Sequence, residues 1–263
     1  MKKQVTIVKV GGNIIEDELA MQEFVQAFGS IAGPKVLVHG GGKVATRMAE
    51  KLGVETQLIE GRRITGDDMI DVAVMTYAGL VNKKIVALLF KEGIQAIGLT
   101  GADGNTILAE KRPITNGIDY GWVGDVKEVN GPLLQSLIES GTTPVFCALT
   151  HDGEGHLLNT NADTIANAVA ISLSTHFEVT LNYCFELRGV LRDVKDPESL
   201  IPEINWELYQ ELKQEGVVSA GMIPKLDNAF EAIRKGVSKV NVLNIAALHQ
   251  LDNEEYHEYT TLY

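Results

Sequence analysis

Two kinds of apolar spacing alternate along this chain. Residues 5–10, 36–39, 95–100, 143–149, 177–181 and 239–243 are short aliphatic runs, several of them closed by glycine, and such runs predict buried strands. Between them lie longer stretches in which apolar residues return every three or four positions, which predicts helices packed on one face. The stretch 16–30 puts Met21, Phe24, Val25 and Phe28 on one side, and the stretch 43–52 ends at Gly53, placed as a C-cap. A long helix opens at Thr65-Gly66-Asp67-Asp68, which has the form of a capping box, and carries Ile70, Ala73, Val74, Tyr77, Val81, Ile85 and Leu88 as a wide stripe. Its small residues Ala73, Ala78 and Gly79 also suit a contact between subunits. Pro132 and Gly141 bracket a further helix, 206–214 reads as another, and one that starts near Pro224 runs to Lys235. Residues 57–63 read as a hairpin arm. Residues 106–129 have no helical period and many turn formers, so they read as an antiparallel excursion around Tyr120-Gly121-Trp122. Strands and helices in this alternation predict a mainly parallel sheet with ligands at the carboxyl ends of its strands.

The candidate chemistry gathers at those ends. Residues 36–43, V-L-V-H-G-G-G-K, form a strand that runs into three glycines and then a helix. Bare backbone N–H groups and the positive end of a helix dipole make such a turn an anion cradle. It is neither G-x-x-x-x-G-K-[ST] nor G-x-G-x-x-G: Val44 follows Lys43, and Ala45 stands where a third glycine would be. Lys9 interrupts the first apolar run just before Gly11-Gly12, and a lysine in a buried strand needs an anion or a way out to water. Pro224 belongs in a first helical turn, which puts Lys225 there too, against the dipole by about 0.3–1 kcal/mol unless an anion binds beside it. Lys9 and Lys225 therefore read as two halves of one phosphate site. Asn161 has the character of an N-cap, with Asp163 in the first turn behind it and Asn159 just outside. Arg62 and Arg63 precede the long helix, and a guanidinium there can clamp a carboxylate.

Charge and composition narrow the partners. The chain has 263 residues, 45% hydrophobic and 22% charged, with a formal net charge of −12, so neither nucleic acid nor an anionic membrane surface is the expected partner. Cys147 and Cys184 both lie in apolar runs without metal-ligand spacing, which predicts buried reduced thiols and a cytoplasmic protein. The basic start, Met1-Lys2-Lys3, is followed by an apolar segment broken by Lys9 and two glycines, so it reads as neither a leader nor a span.

The set V-K-V-G-G (8–12), V-H-G-G-G (38–42), G-R-R-I-T (61–65), the long helix, N-T-N-A-D (159–163) and G-M-I-P-K (221–225) resembles the N-acetylglutamate kinases of the amino acid kinase family. The motifs come in family order and cover nearly the whole chain. The resemblance implies an α/β fold, a three-layer αβα sandwich with an open, mainly parallel central sheet. It implies two lobes on one continuous sheet, 1–172 for substrate binding and dimerisation and 173–263 for the nucleotide. It further implies ATP and Mg2+, with the metal held through the ATP phosphates and not by protein ligands, and phosphorylation of the γ-carboxylate of N-acetyl-L-glutamate, or a close analogue such as N-succinyl-L-glutamate, on the route to arginine. By resemblance, Lys9 and Lys225 stabilise the transferring phosphoryl group and Asp163 holds their ammonium groups. Gly41, Gly42, Arg63 and Asn159 meet the substrate, and Gly11, Gly12, Gly221 and Met222 the nucleotide.

The stretch N-Y-C-F-E-L-R-G-V (182–190) departs from the family's S-D-V-x-G-[IV], and the usual glycine-threonine ending is altered at Tyr259-Thr260-Thr261. Arginine-inhibited relatives carry an additional N-terminal helix that links dimers into hexamers. Here the first strand begins almost at Met1, so the expectation is a homodimer insensitive to arginine. Competing functions are other kinases of the family, acting on glutamate, aspartate, carbamate, a uridine nucleotide or isopentenyl phosphate, and a regulatory module that binds a nucleotide or effector without catalysis.

Overall fold

Apolar side chains on both faces of the first strand decide the architecture. In β1 (Gln4–Val10), Val5 and Ile7 enter one buried cluster and Val8 and Val10 another, so the strand is covered above and below. The computed structural model of the protein describes residues 2–59, 61–218, 222–251, 253, 256 and 258–263. After β1 come α1 (Gly12–Glu16), α2 (Glu18–Ser30), β2 (Lys35–His39), α3 (Gly42–Leu52) and an antiparallel arm of β3 (Leu58–Ile59) and β4 (Arg62–Arg63). A continuous helix from Asp67 to Lys91 follows, made of α4 (Asp67–Ala73), a π-helical stretch (Val74–Val81) and α5 (Asn82–Lys91). Next are β5 (Ala96–Leu99), β6 (Ile107–Lys111), β7 (Gly124–Val129), α6 (Gly131–Glu139), β8 (Thr143–Phe146), β9 (Leu149–His151), β10 (Leu157–Asn159) and α7 (Ala162–Ser174). The chain closes with β11 (Glu178–Cys184), β12 (Glu203–Ile204), α8 (Trp206–Gln214), α9 (Ile223–Arg234), β13 (Lys239–Leu243), α10 (Ile245–Leu248) and β14 (Thr260–Leu262).

Among the described residues the main sheet has the strand order β12-β14-β13-β11-β1-β2-β8-β5. Its pairs are parallel except where β14 runs antiparallel beside β13. Helices cover both faces: α1, α2, α5 and α10 pack on the side of Val8 and Val10, and α4, α7, α8 and α9 on the side of Val5 and Ile7. The expected three-layer sandwich is therefore the observed one. In a second sheet, β10-β9-β6-β7, the antiparallel pair β6–β7 is the expected excursion over 106–129, and the antiparallel pair β9–β10, outside that range, joins it through a parallel contact of β9 with β6. Because the central strands are parallel, the turns after β1, β2 and β11 open on one edge.

Local capping chemistry moves some boundaries. The helix expected over 16–30 begins at Gly12 and breaks at Asp17, whose extended backbone frees its carboxylate to accept from the N–H groups of Leu19 and Ala20. The expected capping box is not formed. Gly66 is the N-cap and supplies no side chain, Thr65 Oγ1 donates to the Arg63 carbonyl, and Asp67 accepts from the Trp122 indole N–H at 2.6 Å. The strand expected over 143–149 divides at Cys147: β8 stays in the main sheet, and Leu149 enters β9 of the other.

Candidate active site

Lys9 lies near the end of β1, level with Val38 on β2 and Tyr183 on β11, on the face covered by α7. α7 starts with Asn161, whose side-chain oxygen accepts from the N–H groups of Asp163 and Thr164, and this cap directs the Asp163 carboxylate at the sheet edge. One carboxylate oxygen is 2.8 Å from Lys9 Nζ and the other accepts from Lys225 Nζ at 2.6 Å. Lys225 arrives from the first turn of α9, behind Pro224, with Met222 as the N-cap. Two cations 216 positions apart in the sequence thus meet on a single anion. Lys9 and Asp163 are both more than nine-tenths buried. Burial alone would raise the Asp163 carboxyl, but the Lys9 and Lys225 ammonium groups reverse this and hold it below the usual carboxylate range. Burial lowers the Lys225 ammonium from its ordinary value; Lys9 adds to the fall, and Asp163 and Glu186 oppose it.

The glycine turn sits beside this group. His39 ends β2 fully buried, and burial brings its pKa down to about 4, so the ring is neutral at physiological pH. Its Nδ1 lies 2.7 Å from the Gly40 carbonyl, which can only accept, so Nδ1 carries the proton and Nε2 accepts from the Asn82 amide at 3.0 Å. This chain of hydrogen bonds fastens the turn to the long helix. Gly41 is the N-cap of α3, and a Cβ at Gly41 would stand 2.8 Å from the Tyr77 ring. The first N–H groups of α3 have no acceptor within the helix. Arg63, buried, donates from one terminal nitrogen to the Gly42 carbonyl at 2.9 Å and to Thr46 Oγ1 at 2.7 Å. Asn159 ends β10, and its amide donates to Thr65 Oγ1. Gly41, Gly42, Arg63 and Asn159 line one cavity of about 210 Å³.

The structure therefore brings Lys9, Asp163 and Lys225 into contact and puts the four expected substrate residues around an adjoining hollow. Gly11 differs from expectation in one respect: its N–H donates to the Cys184 carbonyl at 2.9 Å and is not available to a phosphate. Gly12 opens α1. Gly221 lies outside the described residues. Sequence reasoning missed Tyr77, which it counted only as core, and Arg112, which lies in the excursion; both line the cavity, as does Arg62. No local spacing marks Arg112, since β6 and β7 bring it over the hollow and Asp125 pairs with it there. Among the described residues no cluster of three His, Cys, Asp or Glu side chains is placed to hold a metal ion.

The model of the amino acid kinase family matches residues 4–244. An acetylglutamate kinase of Cytophaga hutchinsonii is 53% identical over 248 residues, 94% of each chain. One from Bacteroides fragilis is 52% identical over 249 residues, 95% of each chain. Among solved structures, N-acetylglutamate synthase from Neisseria gonorrhoeae, complexed with coenzyme A and N-acetyl-glutamate, superposes with a TM-score of 0.82 at 20% identity. That superposition covers 99% of this chain and 59% of the synthase, and at such identity it speaks to the fold alone.

Proposed function

This chain belongs to the amino acid kinase family, and from that premise we propose that it transfers the γ-phosphoryl group of ATP to the γ-carboxylate of N-acetyl-L-glutamate, a step of arginine biosynthesis. The observation that carries the reading is the convergence of Lys9 and Lys225 on Asp163, beside the cavity of Gly41, Gly42, Arg63 and Asn159. A carboxylate is already a nucleophile, so the reaction needs no general base. What it needs is alignment of two anions and cancellation of the charge on the phosphoryl oxygens.

The proposed roles follow from that need. One oxygen of the substrate's γ-carboxylate attacks the γ-phosphorus, the bond to the bridging oxygen breaks, and ADP leaves. Lys9 and Lys225 lie against the equatorial oxygens. Asp163 neutralises one of their two charges and fixes both ammonium groups, so one net positive charge remains for the phosphoryl group. Arg63 meets the α-carboxylate, Asn159 the amino-acid end, and the N–H groups of Gly41 and Gly42 the region between the two reacting oxygens. Gly12, Gly221 and Met222 serve the nucleotide. MgATP is taken as the substrate, its metal held through the phosphates. The lobes divide as 1–172 for the acylated amino acid and 173–263 for the nucleotide.

A homodimer built on the long helix is also proposed, because that helix presents apolar residues on two sides: Tyr77, Ile85 and Leu89 inward, Met75, Leu80 and Phe90 outward. It is long and apolar enough to cross a membrane, but its buried side belongs to the core. Both cysteines are buried and free, and burial pushes each thiol up to about 12, in keeping with a reducing cytoplasm.

An ADP-release assay run in parallel on N-acetyl-, N-succinyl- and free L-glutamate tests the reading. Turnover of an N-acylated substrate at least tenfold above free glutamate supports it, and the reverse order overturns it. Arg62 and Arg112 beside the same cavity are the reason to include a substrate with a third carboxylate.

A further inference from the structure

The proposed pair of lysines leaves an electrostatic problem. Asp163 is one negative charge facing two positive ones, Lys9 buried and Lys225 half-buried. A second carboxylate pressed between them would cancel the excess, but it would also repel the incoming triphosphate. The segment that departs from the family pattern supplies a neutral alternative. β11 ends at Cys184, and the next residue is fixed from two sides: the Phe185 N–H donates to the Leu243 carbonyl at 2.8 Å, and the Gly11 N–H donates to the Cys184 carbonyl. Tyr183 is level with Lys9 in the β1–β11 register, so Phe185, two residues on, shares its face. Gly11 has no side chain to fill the space opposite, and a Cβ there would stand 3.3 Å from Phe185 Cδ1.

The Phe185 ring occupies that space, stacked on Tyr183 with centroids 6.1 Å apart and planes 4° from parallel. Lys9 Nζ lies 5.0 Å from the ring centroid and Lys225 Nζ 4.4 Å. Both cations are thus held between the oxygens of Asp163 and the π face of one ring. We propose that Phe185 is a positioning residue for phosphoryl transfer, its ring keeping the Lys9 and Lys225 ammonium groups converged where the phosphoryl group is to sit. The inference rests on the reading that these lysines serve that group. A quadrupole suits the task because it attracts a nearby cation yet carries no net charge to oppose an anionic substrate. The other charged groups facing Lys225 are Asp163 on α7, Lys9 on β1 and Glu186 after β11.

The test compares wild type, Phe185→Leu and Phe185→Tyr. Leucine keeps apolar bulk and removes the π face; tyrosine keeps it. Phe185→Leu is expected to lower kcat about tenfold, the scale of a desolvated cation–π contact, with KM for the N-acylated glutamate within about twofold of wild type, since that substrate lies against Arg63 and Asn159. The alkaline limb of the kcat profile should move down by about half a pH unit to one unit, because the ring no longer favours the charged lysines. Phe185→Tyr should stay within about twofold of wild type on all three readouts. Wild-type kcat and an unmoved limb in Phe185→Leu, or an equal loss in Phe185→Tyr, would overturn the proposal. Should Phe185→Leu fail to fold, 3,4,5-trifluorophenylalanine at position 185 keeps the shape and weakens the quadrupole; it must lower kcat in the same way, and unchanged kcat overturns the proposal. If the wild-type protein turns over no N-acylated glutamate, the proposed reaction fails and the ring is read directly from 15N-lysine spectra. A lower Lys225 pKa in the altered protein then supports the contact, and an unchanged one refutes it.

Discussion

Asp163 is the residue on which the proposed chemistry turns, because each of its oxygens meets a different cation. Lys225→Ala removes one of two charges from the proposed phosphoryl site and leaves Asp163 paired with Lys9. It should cost about 10²–10³ in kcat, the scale of a lost electrostatic stabiliser, with an unchanged far-UV circular dichroism spectrum; wild-type turnover would remove the mechanism. Asp163→Asn does something different, since it strands Lys9 in a buried site without its anion. Removing one partner of a buried pair costs about 3 kcal/mol, which urea unfolding at neutral pH will read. The sign of its pH dependence follows from the direction of the shift. Asp163 has a lowered pKa in the folded protein, so its contribution is complete above the ordinary carboxylate range and fades as pH falls through the folded value. The stability gap between wild type and Asp163→Asn should therefore shrink in acid; a gap that widens there contradicts the pairing. At the alkaline end the proposed role of Lys225 requires its ammonium form, and burial lowers its pKa. Activity should accordingly fall off at a pH below that of an ordinary lysine.

The same logic extends from single groups to the strand, turn and helix that carry them. β2 and α3 meet at Gly41, which must be bare because Tyr77 on the π-helical stretch lies against it. Gly41→Ala pushes the ring or the turn aside, and a misplacement of about 1 Å near reacting groups costs roughly 10²-fold in kcat/KM. The loss should appear in the assay with little change in unfolding midpoint, since the clash falls at the cavity. Behind the turn, Asn82 donates to both His39 Nε2 and the Val145 carbonyl. Asn82→Ala leaves the buried His39 Nε2 without its donor and takes one hydrogen bond from the Val145 carbonyl, at a cost of about 2 kcal/mol, measurable by urea unfolding. These dependencies mark where sequence reading stopped. The glycines, the odd lysines and the Asn161 cap were readable because each breaks a local rule: a turn after a strand, a charge in an apolar run, an oxygen before a helix. Tyr77 obeys its local rule as one more apolar position on a helix, so only the packing of that helix against the turn reveals it. The split of 143–149 between two sheets was hidden for a related reason, because a buried run looks the same whichever sheet it joins.

At the scale of the whole molecule the order of the parallel strands does the assembling. β1 lies between β11 and β2, so residues from both ends of the chain reach one edge. That placement was foreseen only as a convergence of two lysines, since strand order depends on contacts between residues far apart in sequence. Phe185 shows the same limit, since its ring acquires meaning only when Lys9 and Gly11 at the end of β1 and Lys225 on α9 come to it from two distant segments. The outer face of the long helix raises the remaining question at this scale. Met75, Leu80 and Phe90 are more than a third exposed, with the small Gly79 beside them. Exposed apolar residues of this kind on one helix call for a partner, and a second copy of the same helix across a two-fold axis is the simplest one. Sedimentation equilibrium should give twice the 28.6 kDa chain mass, and Leu80→Glu combined with Phe90→Glu should shift it to the monomer. Because neither residue touches the cavity or the lysine pair, the altered protein should keep its fold and a measurable rate at high enzyme concentration. A wild-type monomer at tens of micromolar would mean that the stripe serves something other than self-association.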